Sequence, residues 1–249
     1  MVLAVVPARG GSKGVKNKNL RKIGHKSLVK IACDYAASEP EISRTIVSTD
    51  SYEVAREFAK EETFEEFASL ANGKILMTEN GVYLHKRKAE HAGDYSSTIE
   101  LVLDILLDKS LTEFESLLLL QPTSPFRKPG EVKNVIEVMS LTSTNACVSA
   151  KLFNSPHPQK SFYLDSDGIL EADKFQFLSV PRQKLQDMYV FDGAFYLSRV
   201  ESIRKNRSLL APRTSIYLRE GVRTLNIDNE EDMKIAVAVA RDFMDHSSD

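Results

Sequence analysis

Cysteine is scarce in this chain: only Cys33 and Cys147 occur in 249 residues. They stand far apart, with no Cys-x-x-Cys or Cys/His spacing, which excludes a zinc site and a disulfide framework. Both read as buried small hydrophobes in a reducing compartment. No apolar run approaches the roughly 20 residues that a membrane span needs. The opening Met1–Pro7 stretch lacks a charged lead-in, and its apolar run is too short for a signal peptide. A cytoplasmic protein without membrane contact is the expectation. Glycine and proline number only 11 and 9, and charged residues make up 27%, which excludes collagen-like, low-complexity and wholly disordered chains. Charge of either sign is not in excess. The formal net charge of -2 excludes a protein that coats nucleic acid through bulk charge.

The distribution of charge is more informative than its sum. Between Met1 and Cys33 stand eight basic residues (Arg9, Lys13, Lys16, Lys18, Arg21, Lys22, Lys26, Lys30) and no acidic one. A basic island on an otherwise acidic chain reads as a local anion site or as a solvated basic loop. No stacking aromatics accompany it, as a groove for single-stranded RNA would require.

Short apolar runs alternate with amphipathic segments, the pattern of an α/β fold with a mostly parallel sheet. Strands are expected at Leu3–Val6, Arg44–Ser48, Ser116–Leu120, Ala146–Ala150 and Ala194–Leu197. Helices are expected from Ser27, after Asp50 through Ala59, after the capping box Ser97-Thr98-Ile99-Glu100, from a first turn holding Pro129, and from Asp228 to Phe243. The stretch 61–80 reads as a helix extension plus loop. Phe162–Leu164 and Ile169–Leu170 flank Asp165-Ser166-Asp167-Gly168, a hairpin signature, within an outlying subdomain over about 153–186. The whole of 1–249 reads as one domain carrying that appendage.

Pro7-Ala8-Arg9-Gly10-Gly11-Ser12-Lys13-Gly14-Val15-Lys16-Asn17-Lys18-Asn19 follows the first strand. Ligands of open α/β sheets collect at the carboxyl ends of strands, and glycines there let backbone N–H groups approach an anion. With Arg9, Lys13 and Lys18 as charged donors, a polyphosphate suits the loop better than one carboxylate. Neither the P-loop pattern nor the dinucleotide fingerprint can be placed on it.

This loop resembles the opening of the acylneuraminate cytidylyltransferases, the CMP-sialic acid synthetase family. Val47-Ser48-Thr49-Asp50, Gln121-Pro122-Thr123-Ser124-Pro125-Phe126-Arg127, Pro181-Arg182-Gln183, Gly193-Ala194-Phe195-Tyr196 and Ile227-Asp228-Asn229-Glu230-Glu231-Asp232 agree in the same order. The resemblance implies a Rossmann-like nucleotidyltransferase fold with a β-hairpin dimerisation arm, a homodimer with composite sites, and transfer of CMP from CTP to a nine-carbon α-keto sugar acid. N-acetylneuraminate and legionaminate both fit. It assigns catalysis to Lys18, Arg9 and Asp228, with Lys18 facing the α-phosphate. Nucleotide contacts fall on Ala8, Arg9, Gly11, Ser12, Lys13, Asn19, Arg87 and Ser96. Sugar contacts fall on Gln121, Thr123, Ser124, Arg182, Gln183 and Tyr196, with Lys160 reaching across subunits, and Mg²⁺ on Asp228 and Asn226.

The chain departs from the family pattern twice. Asn226-Ile227-Asp228 stands where relatives commonly carry Asp-Ile-Asp, which replaces one metal-facing carboxylate by an amide, unless Asp228 serves only to cap the last helix. Tyr189-Val190-Phe191-Asp192-Gly193 stands where many carry Arg-Pro-Asn-Gly, and Val190 cannot act as their arginine does. The rival readings are a transferase for the shorter acid Kdo, whose enzymes follow Pro-Ala-Arg with Ser-x-Arg-Leu-Pro-Gly-Lys, and a homologue that binds nucleotide or sugar without turnover.

Overall fold

The computed structural model describes residues 1–11, 14–93, 96–153, 155–171 and 178–245. Its centre is an eight-stranded sheet. In chain order the strands among the described residues are β1 (Val2–Pro7), β2 (Lys22–Ile23), β3 (Lys26–Ser27), β4 (Ile42–Thr49), β5 (Ile75–Met77), β6 (Tyr83–Lys86), β7 (Ser116–Leu119), β8 (Ala146–Leu152), β9 (Tyr163–Leu164), β10 (Leu170–Glu171), β11 (Tyr189–Arg199) and β12 (Thr214–Leu218). The sheet runs β12-β8-β11-β7-β1-β4-β6-β5. Only β11 and β5 run against the other six, so the expected α/β class with a mostly parallel sheet holds.

Alternation along the central strands builds the core on both faces. Val2, Ala4 and Val6 of β1, with Leu118 and Leu120, pack on one side against α1 (Leu28–Ser38), α2 (Tyr52–Arg56), α3 (Glu61–Ser69) and α5 (Glu131–Leu141). Leu3, Val5, Leu117 and Leu119 point the other way, into α4 (Thr98–Ile105) and the helix Val200–Asn206. A strand covered on both faces must be apolar at every position, which is why the leucine run is legible as central. A third cluster joins Val15, Leu28 and Ile227 to Met233 and Ala236 of the last helix, Glu230–Asp245.

Several expected boundaries move. The helix after Asp50 ends at Arg56; Phe58 is buried beyond its end. Pro129 lies ahead of α5 rather than in its first turn, because Gly130 takes φ 82° and the helix starts at Glu131. Ser97 Oγ accepts from the Ile99 amide at 3.4 Å, but Glu100 turns outward to Arg207 at 2.9 Å instead of closing a capping box. The 61–80 stretch holds α3, which buries Phe64 and Phe67, and β5. Asp165 Oδ1 accepts from the Asp167 and Ile169 amides at 3.0 and 2.7 Å and builds the expected hairpin turn between β9 and β10. Cys33 and Cys147 are both buried and free.

Candidate functional site

The loop after β1 is held by the ends of its neighbours. The Ala8 amide bonds the Ser48 carbonyl at 2.9 Å, and the Gly10 amide bonds Asp50 Oδ1 at 2.9 Å. The Ser48-Thr49-Asp50 run is therefore a backbone clamp on the glycine loop, and the Arg87 amide closes it from the other side on the Thr49 carbonyl at 2.9 Å. Asn17 takes φ 52° and turns the chain into Lys18–Leu20, where the buried Asn19 bonds the Arg9 carbonyl at 2.8 Å. Gly14 sits flush against the segment of Asp228: a Cβ there would lie 2.2 Å from the Asp228 carbonyl. Ser12 and Lys13 lie outside the described residues, as do Asp94 and Tyr95.

These constraints open a cavity of about 390 Å³ at the carboxyl ends of β1, β6 and β7. It brings together Arg9, Lys18, Asn19, Arg87, Ser96, Gln121, Thr123, Asn226 and Asp228, nine of the residues expected at a site. Arg9 Nη1 donates to the Ala92 carbonyl at 3.4 Å, and Ser96 Oγ to that of Glu90 at 2.7 Å, which tie the 87–96 wall in place. Burial pulls Arg87 down to about 10, so it stays cationic at neutral pH.

The Gln121–Arg127 run is positioned by its last residue. Arg127 Nη2 donates to the Gln121 carbonyl at 2.8 Å and Nε to that of Ala194 at 3.1 Å, while its guanidinium lies 5.7 Å from the ring centres of both Tyr35 and Phe195. Ser124 Oγ donates to the Asp192 carbonyl at 2.9 Å. Gly193, at φ 78°, passes so close that a Cβ would meet Gln121 Oε1 at 2.7 Å and Ser124 Oγ at 2.9 Å. Asp192 beside it is buried and paired with Arg219 at 2.7 Å; Arg219 also holds Glu131 at 3.0 Å.

Asn226 and Asp228 face the cavity while Ile227 between them is buried, so the alternation expected of a strand is present, although this segment is extended coil. The last helix is capped by other residues: Asn229 Oδ1 accepts from the Glu231 and Asp232 amides at 2.8 and 2.9 Å, and Asp232 Oδ2 accepts from those of Asp228 and Asn229 at 2.8 and 3.1 Å. That leaves the Asp228 carboxylate to the cavity. Its Oδ2 accepts from Asn226 Nδ2 at 2.8 Å, and Lys18 Nζ stands 3.5 Å from Oδ1 while bonding the Ile227 carbonyl at 2.8 Å. Among the described residues no group of three or more His, Cys, Asp or Glu is placed to hold a metal.

Other expected residues lie elsewhere. Ala8 and Ser124 are buried behind the cavity wall, and Gly11 lines a neighbouring hollow with Asp50. Arg182, Gln183 and Lys160 sit on the segment between β8 and β11, outside the cavity lining. Tyr196 is half-buried in the core against Phe191, where burial raises its phenol. The sequence reading missed His91, Gly93, Ser97, Thr98 and Leu101 on the wall. His91 follows Arg87 by four residues, the one signal that could have drawn it in.

Residues 3–72 match the family model described as Cytidylyltransferase. The chain is 28% identical over 235 residues to the CMP-N,N'-diacetyllegionaminic acid synthase of Legionella pneumophila, covering 93% of this chain and 92% of that protein. It is also 28% identical to an N-acylneuraminate cytidylyltransferase of Streptococcus agalactiae, covering 92% of this chain and 51% of that longer protein. Among solved structures, CMP:2-keto-3-deoxy-manno-octonic acid synthetase complexed with CTP matches at TM-score 0.59 and 16% identity, over 97% of this chain and 99% of that one. The 4-diphosphocytidyl-2C-methyl-D-erythritol synthase of Anaerococcus prevotii matches at 0.58 and 14%, over 96% of each. The structural likenesses carry the fold, and the sequence likenesses bear out the resemblance read from the motifs.

Proposed function

The chain is a nucleotidyltransferase of the cytidylyltransferase kind, and from that premise we propose that it joins CTP to a nine-carbon nonulosonic acid, giving the CMP-sugar and pyrophosphate. The observation that carries this reading is one cavity in which Arg9, Lys18, Asn19 and Arg87 face Gln121, Thr123 and Asp228. The cationic half suits a nucleoside triphosphate, and the amide, hydroxyl and carboxylate half suits a polyhydroxylated acid. The anomeric hydroxyl attacks the α-phosphorus and pyrophosphate departs, so no protein nucleophile is required. Catalysis then rests on alignment and on neutralising the developing charge. Lys18, fixed by the Ile227 carbonyl at 2.8 Å, is the α-phosphate cation in this reading.

Asp228 and the Asn226 amide would hold Mg²⁺ together with phosphate oxygens, a set suited to an ion that keeps few protein ligands. The ion would supply further neutralisation of the phosphates. The hairpin arm is assigned to contact with a second copy, since Phe162, Tyr163, Leu164 and Ile169 are all exposed there. In such a homodimer Arg182, Gln183 and Lys160 would serve the partner's sugar site. A cytoplasmic setting is in keeping with two free thiols.

Pyrophosphate release measured with CTP, UTP, ATP and GTP, each against N-acetylneuraminate, legionaminate and Kdo, tests the proposal. Release with CTP and a nine-carbon acid is expected. Release with Kdo alone would reverse the substrate assignment, and CTP binding without release in any arm would favour a binding protein.

A further inference from the structure

A buried polar chain leads from the cavity wall into the protein behind it. Arg87 Nε donates to Ser48 Oγ at 3.3 Å, and Arg87 Nη2 to the Ser48 carbonyl at 2.9 Å. On the other side of that hydroxyl lies His85 Nδ1, 2.9 Å away. His85 Nε2 faces Asp104 Oδ2 of α4 across 3.6 Å, and neither atom has a hydrogen-bond partner among the described residues. Ser48, His85, Arg87 and Asp104 are all buried. Ser48 Oγ accepts from Arg87, and the direction of its bond with His85 Nδ1 follows the imidazole tautomer. A carboxylate can only accept, so with Asp104 opposite Nε2 the tautomer protonated there is the one that suits the site, and it leaves Nδ1 to accept from Ser48.

We propose that Ser48, His85 and Asp104 are positioning residues that lock the Arg87 guanidinium in one orientation and thereby set which nucleobase the cavity accepts. This rests on the nucleotide reading above, with Arg87 given to the base and Arg9 and Lys18 to the triphosphate. One edge of the guanidinium, Nε with Nη2, is taken by Ser48, which leaves Nη1 for the cavity. A donor held at one place favours a pyrimidine with acceptors at O2 and N3, as in cytosine, over uracil, whose N3–H would meet it as a second donor. Asp104 also anchors the wall itself. Its Oδ1 is paired with Lys88, and His91, which lines the cavity, stands 3.9 Å from Oδ2. The groups around His85 are thus Ser48 from β4, Asp104 from α4, and Arg87, Lys88 and His91 from its own strand end and loop.

The decisive experiment is a double-mutant cycle read by calorimetric binding of CTP and of UTP to wild type, Ser48→Ala, Arg87→Lys and the double variant. Ser48→Ala is expected to weaken CTP by about tenfold, to narrow the CTP-over-UTP preference, and to add nothing on the Arg87→Lys background. An unchanged CTP/UTP ratio, or an equal loss in both backgrounds, would overturn the proposal. Should Ser48→Ala not fold, Asp104→Asn takes its place in the cycle under the same criteria. Nitrogen NMR of ligand-free wild type judges the relay separately: an Nε2–H tautomer at His85 supports it, and an Nδ1–H tautomer overturns it. Wild type that binds no CTP would overturn the functional reading instead, whatever the tautomer.

Discussion

Asn226 Nδ2 donates to Asp228 Oδ2 across 2.8 Å, so an uncharged amide satisfies one oxygen of the carboxylate while Lys18 stands 3.5 Å from the other. A carboxylate at position 226 could not donate this bond. It would stand beside Asp228 as a like charge, and the pair would call for a counter-ion. Asn226→Asp should therefore lower the Mg²⁺ concentration needed for half-maximal pyrophosphate release by about tenfold, the scale of one added charged ligand. An unchanged metal titration would remove Asn226 from the metal site.

Lys18 separates stability from turnover. Its partner Asp228 is 70% exposed on the side chain, and such a pair contributes at most about 1 kcal/mol to folding. A cation facing the transferred phosphoryl group is worth roughly 10²–10³ in rate. Lys18→Ala should leave the melting temperature within a few degrees of wild type and lower turnover by that factor. Near-normal turnover would place Lys18 outside the chemistry.

The part of this site that one strand and one loop supply was legible in the sequence, because glycines and basic residues after an apolar run have one common use. Ser48-Thr49-Asp50 and Gln121–Arg127 were legible as motifs, though not as the clamp and the arginine-braced turn that they are. What stayed hidden depends on pairing between distant elements. His85 lies on β6, too short to announce itself, and its partner Asp104 reads as the polar side of an amphipathic helix. Asp192 of β11, Glu131 of α5 and Arg219 just past β12 meet only after the sheet is assembled. Asp228 could not be divided between cap and cavity until Asn229 and Asp232 were seen to close the cap between themselves.

Gly193 couples β11 to the end of β7. At φ 78°, with Gln121 Oε1 2.7 Å and Ser124 Oγ 2.9 Å from where a Cβ would stand, alanine is strained by its backbone and obstructed by both side chains. Gly193→Ala should cost about 1–3 kcal/mol in urea unfolding. Because Gln121 must move, KM for the sugar acid should rise more than KM for CTP. Equal changes in both would mean that the turn does not serve the sugar half of the cavity.

The stability of the protein should also fall on mild acidification, for a reason traceable to His85. Burial lowers this imidazole from 6.5 to about 4, against the attraction of Asp104. Between those values the unfolded chain takes up a proton that the folded chain refuses, so unfolding stability declines as pH drops through that window. At pH 5 the loss is about 2 kcal/mol relative to pH 8. The carboxylates held low by local hydrogen bonds, Glu53, Glu79 and Asp108, start from 4.5, 4.5 and 3.8, so their contribution is lost mainly below this window. Urea unfolding at intervals from pH 8 to pH 5 should show the decline in wild type, and a flatter profile in His85→Gln even if that variant is less stable throughout. Parallel profiles would mean that His85 accepts its proton in the folded state as readily as in the unfolded one, the attraction of Asp104 then offsetting the cost of burial.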